Sequence, residues 1–416
     1  MRKLTVKNFS VIKEAELEFG KITVLIGPQS SGKSLLCKLA YFMGRVVLEI
    51  AIDHVVRLTD FSEFTTAAQR EFAKWFPKEG WGERNWSVEF RAGKFAGSIS
   101  EIATSESTSE AELTFCEEFR TEYQKRLEES LEDQRQRGFV IAAGLRSVAA
   151  TRFMKLAGRG VWDAATYIPS ERSFFVDMQK GYRALAADAD RVSAQFAVAF
   201  ADSMNRDVPK PRLKSFLSGD LVYFPDGPSV SFSDGRLLPI NFLSSGSKEM
   251  LAILAVLDLY EYRRRSSGPD WLSQELYGDR LYVYDELTIE EPEASVFPQS
   301  QYDFVREIAA LSNESGFQPH FTITTHSPYI LSGFNDLIEA GRLGAETALS
   351  KEVNEIIPEK YWVKPGDFKA YSIHDGKLQS IMDTETGLIN GEYLDAISNK
   401  IGGDFDALLR IGYAKS

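Results

Sequence analysis

The sequence contains few cysteines and histidines. Only Cys37 and Cys116 occur among 416 residues, and there are four histidines. Two unevenly placed thiols argue against a disulfide framework and are typical of a reducing cytosol, so we expect a cytoplasmic protein. His54, His320 and His374 have no cysteine or carboxylate partner at the spacing of metal ligands, and we therefore expect no metal site at these three positions.

Long apolar runs are also missing. The most apolar segment, residues 35 to 50, is interrupted by Lys38, Arg45 and Glu49. It is too short and too charged to cross a bilayer, so we interpret it as a buried helix and expect no membrane association. No apolar stretch follows the basic residues at the start of the sequence, as a secretion signal would require.

Positive charge is in deficit, with a formal net charge of −12. This balance argues against a globally basic surface that binds nucleic acid, although a local basic groove stays possible.

Hydrophobic residues make up 44% of the chain and charged residues 26%, which is the profile of a soluble globular protein. The length predicts about two to three structural units, or one domain with a large insertion.

The sequence does contain a glycine-rich loop between a predicted strand and a predicted helix. The stretch IGPQSSGKS, residues 26 to 34, follows the apolar run ITVLI and precedes apolar residues at helical spacing. Gly27, Gly32, Lys33 and Ser34 match the pattern G-x-x-x-x-G-K-[ST], and the strand and helix supply the context that a phosphate-binding loop needs.

Each residue type in this loop has a reason to be there. The glycines allow backbone N–H groups to turn toward a β-phosphate at the positive end of the helix, and Ser31 lies among these binding residues. Lys33 would reach the β- and γ-phosphates, and Ser34 would ligate Mg²⁺. We therefore predict that the chain binds a nucleoside triphosphate with Mg²⁺.

The character of the sequence changes twice along the chain. Residues 85 to 102 predict a hairpin, and residues 109 to 137 predict a long charged helix. Alternating strand and helix patterns return near residue 161.

Three further stretches carry a family resemblance. INFLSSGSKEM (240 to 250), LTIEEPEASVFPQSQ (287 to 301) and FTITTHSPYIL (321 to 331) follow the glycine-rich loop in the order of signature, Walker B and switch histidine. The chain resembles the ABC-type ATPases of the OLD/RecF/SMC branch, most closely the standalone ATPases of antiphage systems such as PtuA of Septu and AriA of PARIS. The resemblance covers residues 1 to 44 and 163 to 416.

The resemblance implies a fold and a division of the chain. The fold class is α/β, a P-loop NTPase of ABC-ATPase type whose mixed sheet has an antiparallel lobe, with a largely helical insertion. We expect the first part of the ATPase at residues 1–54, a mainly helical insertion with a hairpin at 55–160, and the second part of the ATPase at 161–416.

The signature stretch places Ser244, Ser245 and Gly246 before a predicted helix. A serine hydroxyl and backbone amides there could meet a γ-phosphate. The resemblance implies that this motif faces the ATP of a partner subunit. An ATP-bound homodimer with head-to-tail subunits, or a higher homo-oligomer, is therefore expected.

Two pairs of acidic residues compete for the Walker B role. In the preferred pair, the resemblance implies that Glu290 holds Mg²⁺ through water and that Glu291 orients or deprotonates the attacking water. The alternative is Asp285 with Glu286, five residues earlier. We prefer the later pair because the tripeptide 292 to 294, Pro-Glu-Ala, follows it as in the family.

His326 ends an apolar strand and precedes Ser327 and Pro328. The resemblance implies that its imidazole contacts the γ-phosphate and senses hydrolysis. Only 90 residues follow His326, so we expect no nuclease domain of the OLD type within this sequence.

The expected function is therefore that of an ATP-hydrolysing switch subunit in antiphage defence. It would control a separately encoded effector, expected to be a nuclease, with the insertion at 55–160 as the expected contact region. The alternative is a RecF-like DNA-repair ATPase that binds nucleic acid directly, and salt-dependent DNA binding would discriminate the two. A transporter subunit fits the motifs poorly.

Overall fold

A computed structural model describes residues 2–82, 85–103, 109–137, 142–158, 166–178, 191–225, 227–266, 286–314, 319–390 and 403. The strands are β1 (Arg2–Phe9), β2 (Ile12–Phe19), β3 (Ile22–Ile26), β4 (Ser87–Ala92), β5 (Phe95–Ala103), β6 (Ser109–Phe115), β7 (Thr166–Ile168), β8 (Gly219–Phe224), β9 (Gly227–Phe232), β10 (Leu237–Pro239), β11 (Glu286–Glu290), β12 (His320–Thr325), β13 (Phe368–His374) and β14 (Lys377–Ser380).

The helices cover the sheet. They are α1 (Lys33–Tyr41), α2 (Val47–Val56), α3 (Phe61–Trp75), α4 (Glu117–Arg137), α5 (Ala142–Leu156), α6 (Ser173–Met178), α7 (Arg191–Ser203), α8 (Pro211–Leu217), α9 (Ser245–Ser266), α10 (Pro298–Asn313), α11 (Pro328–Gly344) and α12 (Ser350–Ile356). A π-helical turn (Phe42–Val46) joins α1 to α2.

The described strands form one mixed sheet of eleven and a separate antiparallel sheet of three, β8 to β10. The order in the large sheet is β6-β5-β4-β1-β2-β14-β13-β3-β12-β11-β7. The five strands β13, β3, β12, β11 and β7 pair in parallel. Their carboxyl ends therefore meet at one edge of the sheet, which is where open α/β sheets place their ligands.

The central strand β3 shows why this region is buried on both faces. Its sequence is the continuous apolar run ITVLI, and its first four residues are buried. A parallel strand with helices on both faces needs such a run, whereas a strand with one wet face alternates. The fold is thus a mixed α/β sheet with an antiparallel lobe formed by β1, β2 and β4 to β6.

Residues 109 to 115 differ from the sequence expectation. They were expected to begin a long charged helix, but they form strand β6, which pairs antiparallel with β5; the helix starts only at Glu117. The physical reason is a period of two, because Ala111, Leu113 and Phe115 alternate with polar residues. Leu113 is buried against the first hydrophobic core.

Two hydrophobic cores pack on the large sheet. The first joins β1, β2, α1 and α2 to apolar residues of α3 and of β4 to β6. The second surrounds α9, whose residues Met250 to Leu257 are all buried, and includes β3, β11, β12, α10 and α11. Strands from residues 55 to 160 therefore share both a sheet and a core with the N-terminal strands.

A buried carboxyl on α9 predicts a pH-dependent stability. Burial raises the pKa of Asp258 to about 6, and the Arg212 guanidinium, whose Nη1 lies 3.1 Å away, offsets this only in part. The folded chain therefore holds this proton more tightly than the unfolded chain, where the pKa is near 3.8. The free energy of unfolding should fall as the pH rises from about 4 to about 6, by at most about 3 kcal/mol.

Urea titrations in pH steps across this window measure the slope. Asp258→Asn cannot ionise, so it should lose this part of the slope while Arg212 keeps Glu261 and Glu307 as partners. A variant whose stability depends on pH as the wild type does would rule out Asp258 as the source.

Candidate functional site

Three loops converge at the carboxyl edge of the parallel strands. The loop after β3 contains the glycine-rich stretch, β11 ends at Glu290, and β12 is followed by His326. The strand registers place these ends side by side. Thr324 of β12 pairs with Leu25 of β3 on one side and with Glu290 of β11 on the other. The predicted residues from three distant parts of the sequence are therefore neighbours.

The glycine-rich loop needs its two glycines for reasons of space and backbone angle. A Cβ on Gly27 would lie 2.8 Å from the carbonyl oxygen of Ile373. Gly32 caps α1 with a φ of 102°, and a Cβ there would strike the side chain of Ile12. The side-chain oxygen of Ser31 is buried and has no hydrogen-bond partner among the described residues. The loop thus has the tight turn and the spare polar atom of a phosphate cradle.

Lys33 is the first residue of α1 and is 95% buried. Its Nζ donates to the carbonyl oxygens of Gly27 at 2.8 Å and Pro28 at 2.9 Å, and lies 3.1 Å from Nε2 of His326. Burial lowers the pKa of Lys33, while Glu291 and Glu293 oppose this effect. The ammonium is therefore held inside the loop, where an anion would be its natural partner. Ser34 follows in the first turn of the same helix.

Glu290 is buried at the end of β11 and is held by both carboxylate oxygens. Oε1 accepts a hydrogen bond from the hydroxyl of Tyr167 at 2.6 Å, and Oε2 accepts one from the backbone N–H of Ser170 at 3.2 Å. Both donors belong to β7 and the loop that follows it. The carboxylate is thus fixed at the mouth of the loop.

Glu291 has a φ of 43°, a left-handed conformation that is strained for a glutamate. Its backbone N–H donates to Thr324 at 2.9 Å, and its Oε1 lies 3.2 Å from Nε2 of His326. The backbone N–H of His326 in turn donates to Glu293 at 2.5 Å. A carboxylate, an imidazole and the Lys33 ammonium therefore meet within hydrogen-bond distance.

The two competing acidic pairs lie in different places. Glu286 begins β11 at the opposite end of the strand and forms an ion pair with Arg2 at 2.5 Å. Asp285 lies outside the described residues. Glu290 and Glu291 lie at the edge that carries Lys33, so the geometry favours the later pair for chemistry on a phosphate.

Ser244, Ser245 and Gly246 lie at the start of α9. The Ser244 hydroxyl lies 2.8 Å from that of Ser247 and accepts from its backbone N–H at 3.2 Å, as an N-cap does. Ser244 and Ser245 are both exposed. A ligand outside their own chain can therefore reach them.

Gly246→Ala is expected to destabilise the chain, because a Cβ at this position would run into the carbonyl oxygen of Ser295. Overpacking against backbone costs about 1–3 kcal/mol, which lowers the thermal unfolding midpoint of a chain of this length by roughly 1–4 °C. Gly80→Ala is the control, since a Cβ on Gly80 meets nothing within 4 Å. Calorimetry that gives equal midpoints for the two variants would contradict the close approach.

Several residues at this edge were not assigned from the sequence. Tyr167 and Arg172 belong to the stretch YIPSER. Gln301 links the loop after β11 to the loop after β12. Its side-chain oxygen accepts from the Ser327 hydroxyl at 2.6 Å, and its side-chain nitrogen donates to the carbonyl oxygen of Val296 at 2.8 Å. The signal available was the stretch YIPSER itself, which begins in β7 and continues past its carboxyl end.

The donor set fits Mg²⁺ held together with phosphates. Within the described residues, no group of three or more His, Cys, Asp and Glu side chains could hold a metal ion by itself. Mg²⁺ commonly takes one or two carboxylates together with substrate phosphates and water. Glu290 and the Ser34 hydroxyl would supply that smaller set.

Among the described residues, no helix has the length and apolarity to cross a membrane.

The sheet order, the glycine-rich loop between β3 and α1, and the acidic end of β11 define a P-loop ATPase fold of the ABC type. The chain belongs to the family described as "AAA domain, putative AbiEii toxin, Type IV TA system", whose model matches residues 22–332. A comparison with curated proteins finds no match.

Several solved structures are similar to this chain. One is the SMC head domain from Thermotoga maritima, at 12% identity over 91% of this chain and 97% of that one, with a TM-score of 0.37. Another is the Smc head domain with a coiled coil from Pyrococcus yayanosii, at 11% over 96% and 100%, with a TM-score of 0.40. A third is the recombination mediator RecF, at 11% over 91% and 97%, with a TM-score of 0.31.

Proposed function

We propose that this chain binds and hydrolyses ATP and works as an ATP-controlled switch. The observation that carries the proposal is the meeting of Lys33, Glu291 and His326, with 3.1 Å from Lys33 Nζ to His326 Nε2 and 3.2 Å from there to Glu291 Oε1. Phosphoryl transfer to water needs a cation that neutralises the phosphates and a side chain that orients the attacking water. Lys33 and Glu291 are suited to these two roles at the mouth of the glycine-rich loop.

Each residue has a role in this proposal. Gly27, Gly32 and Ser31 cradle the phosphates with backbone N–H groups and a hydroxyl. Lys33 leaves its backbone acceptors to neutralise the β- and γ-phosphates. Ser34 and Glu290 would hold Mg²⁺, which would neutralise phosphate charge when bound.

Glu291 orients the attacking water and accepts its proton, and this water displaces ADP from the γ-phosphorus. His326 contacts the γ-phosphate and relays its loss. Because Glu293 accepts from the backbone N–H of His326, a shift of the His326 backbone would move the loop after β11.

A second copy of the chain completes the site. The exposed serines Ser244 and Ser245 would meet the ATP of a head-to-tail partner. Exposed aromatic residues flank the same motifs: Phe242 is 72% exposed, Phe297 76% and Tyr329 54%. Large exposed aromatics of this kind are the usual anchors of protein interfaces. They support an ATP-dependent homodimer that opens after hydrolysis.

The biological role that we propose is control of a separately encoded effector, a nuclease, in antiphage defence. The family description, with its toxin and toxin–antitoxin terms, supports a role in defence. Residues 55–160, which we propose as an insertion into the ATPase, add α3 to α5 and β4 to β6 at one end of the sheet. In the sheet order, β4 to β6 are separated from β11 by six other strands, and residues 55–160 are the proposed contact region for the effector.

Co-expression of the tagged chain with its native gene neighbours tests this role. A stoichiometric second chain with a nuclease-type site, retained with ATP and released after hydrolysis, is the expected result. The Lys33→Ala variant, made in the same way, should retain no nucleotide-dependent partner. No partner, together with tight and salt-dependent DNA binding by the purified chain, would favour the DNA-repair ATPase instead.

A further inference from the structure

Arg172 is fully buried between two parts of the candidate site. None of its side chain is exposed, and it lies between β7 and α6. A guanidinium has five N–H groups and a permanent charge, so burying it is costly unless acceptors surround it. The contacts of Arg172 therefore indicate what it is there to hold.

One set of contacts fixes the end of β11. Nη1 donates to the carbonyl oxygen of Glu290 at 2.6 Å and to that of Pro169 at 3.0 Å, and Nη2 donates to the carbonyl oxygen of Glu291 at 2.9 Å. These bonds clamp the peptide at which Glu291 takes its left-handed φ of 43°. Strained backbone persists only where its surroundings hold it, and Arg172 supplies part of that hold.

The remaining contact reaches α9. Nε of Arg172 lies 3.0 Å from Oε2 of Glu249 as an ion pair, and Glu249 is only 6% exposed. Glu249 is four residues after Ser245, about one turn along the helix. One guanidinium thus bridges the helix that presents the signature serines and the backbone that presents Glu291.

We infer that Arg172 is a positioning residue that couples the two ATP sites of the dimer. The inference rests on the proposed function, in which α9 of one chain meets the ATP of its partner while Glu291 serves the chain's own ATP. Engagement of α9 shifts Glu249, and Arg172 transmits this shift to the carbonyls of Glu290 and Glu291. Each site then becomes competent when the other is filled.

This coupling predicts cooperative hydrolysis. For two coupled sites the Hill coefficient of the ATP dependence lies above one and at most at two, and we expect the wild type to approach about two. Glu249→Gln removes the negative charge from the ion pair with Arg172, which weakens the link between α9 and the guanidinium. The Hill coefficient should therefore fall to about one. Turnover should fall roughly tenfold, while the affinity for a fluorescent non-hydrolysable ATP analogue stays within about twofold.

Two further variants separate coupling from general damage. Arg172→Lys keeps the charge near Glu249 but cannot serve two carbonyls at once, so it should reproduce the loss of turnover with unchanged affinity. Asp258→Asn is the matched control, because it removes an equally buried carboxylate from α9, paired with Arg212, that does not contact β11 in the described structure. It should keep the wild-type Hill coefficient.

The measurement is steady-state phosphate release against ATP concentration, with thermal unfolding to confirm that each variant is folded. Unchanged cooperativity in Glu249→Gln, equal loss in Asp258→Asn, or a Hill coefficient of one in a wild type with full turnover would overturn the coupling. A wild type that neither binds nor hydrolyses ATP would contradict the proposed function itself.

Discussion

Replacing Lys33 with alanine is expected to lower the affinity for ATP by at least about a hundredfold and to abolish hydrolysis, since hydrogen bonds to charged groups contribute about 1.5–3 kcal/mol each. The Nζ of Lys33 reaches two loop carbonyls and His326, so it stands at the point where phosphates would enter. Titration of a fluorescent ATP analogue measures the affinity, and phosphate release measures the turnover.

The control for this prediction is Lys38→Ala. Lys38 lies on the same helix, five residues further along and half-buried, so its loss removes an equal charge without touching the loop. We expect wild-type affinity and turnover from it. Near-wild-type turnover in Lys33→Ala would mean that the glycine-rich loop does not bind the reacting nucleotide.

Replacing Glu291 with glutamine is expected to lower turnover about 10²–10⁴-fold, the range for loss of a positioned general base. Glutamine keeps the size of the side chain but cannot accept a proton from water. Affinity for ATP should stay close to that of the wild type because Lys33 and the loop are untouched. Single-turnover phosphate release measures the chemical step directly.

Glu286→Gln is the counterpart on the same strand. Glu286 pairs with Arg2 at the opposite end of β11, and removing one partner of a buried pair costs up to about 3–5 kcal/mol. We therefore expect a lower thermal midpoint and mostly intact turnover below it. The reverse pattern, with slow chemistry in Glu286→Gln and normal chemistry in Glu291→Gln, would transfer the catalytic role to the earlier pair.

The candidate site was largely predictable because its residues follow strands. Gly27, Glu290 and His326 each come directly after an apolar run, and parallel strands bring their carboxyl ends together. The central run ITVLI and the helical spacing after Lys33 are local signals, and the structure has both elements in those places. Local periodicity was therefore enough to predict the frame of the site.

Other features depend on tertiary contacts that no local pattern contains. Tyr167 and Glu290 are 123 residues apart in the sequence and share a hydrogen bond of 2.6 Å. The bridge from Arg172 to Glu249 likewise joins two elements that only the folded sheet brings together. The residues of β6 were predicted to start a helix because the long charged sequence that follows them is helical, and the alternation that marks a strand spans only seven residues.

The measurement that tests the central claim most directly is sedimentation velocity of the Glu291→Gln variant with Mg²⁺ and either ATP or ADP. An ATP-controlled switch predicts that this variant, which binds ATP but cannot hydrolyse it, sediments as a larger assembly with ATP than with ADP. Adding Ser245→Arg to the same chain should prevent the change, because it blocks the surface that meets the partner's ATP. The same sedimentation coefficient with both nucleotides would contradict the account.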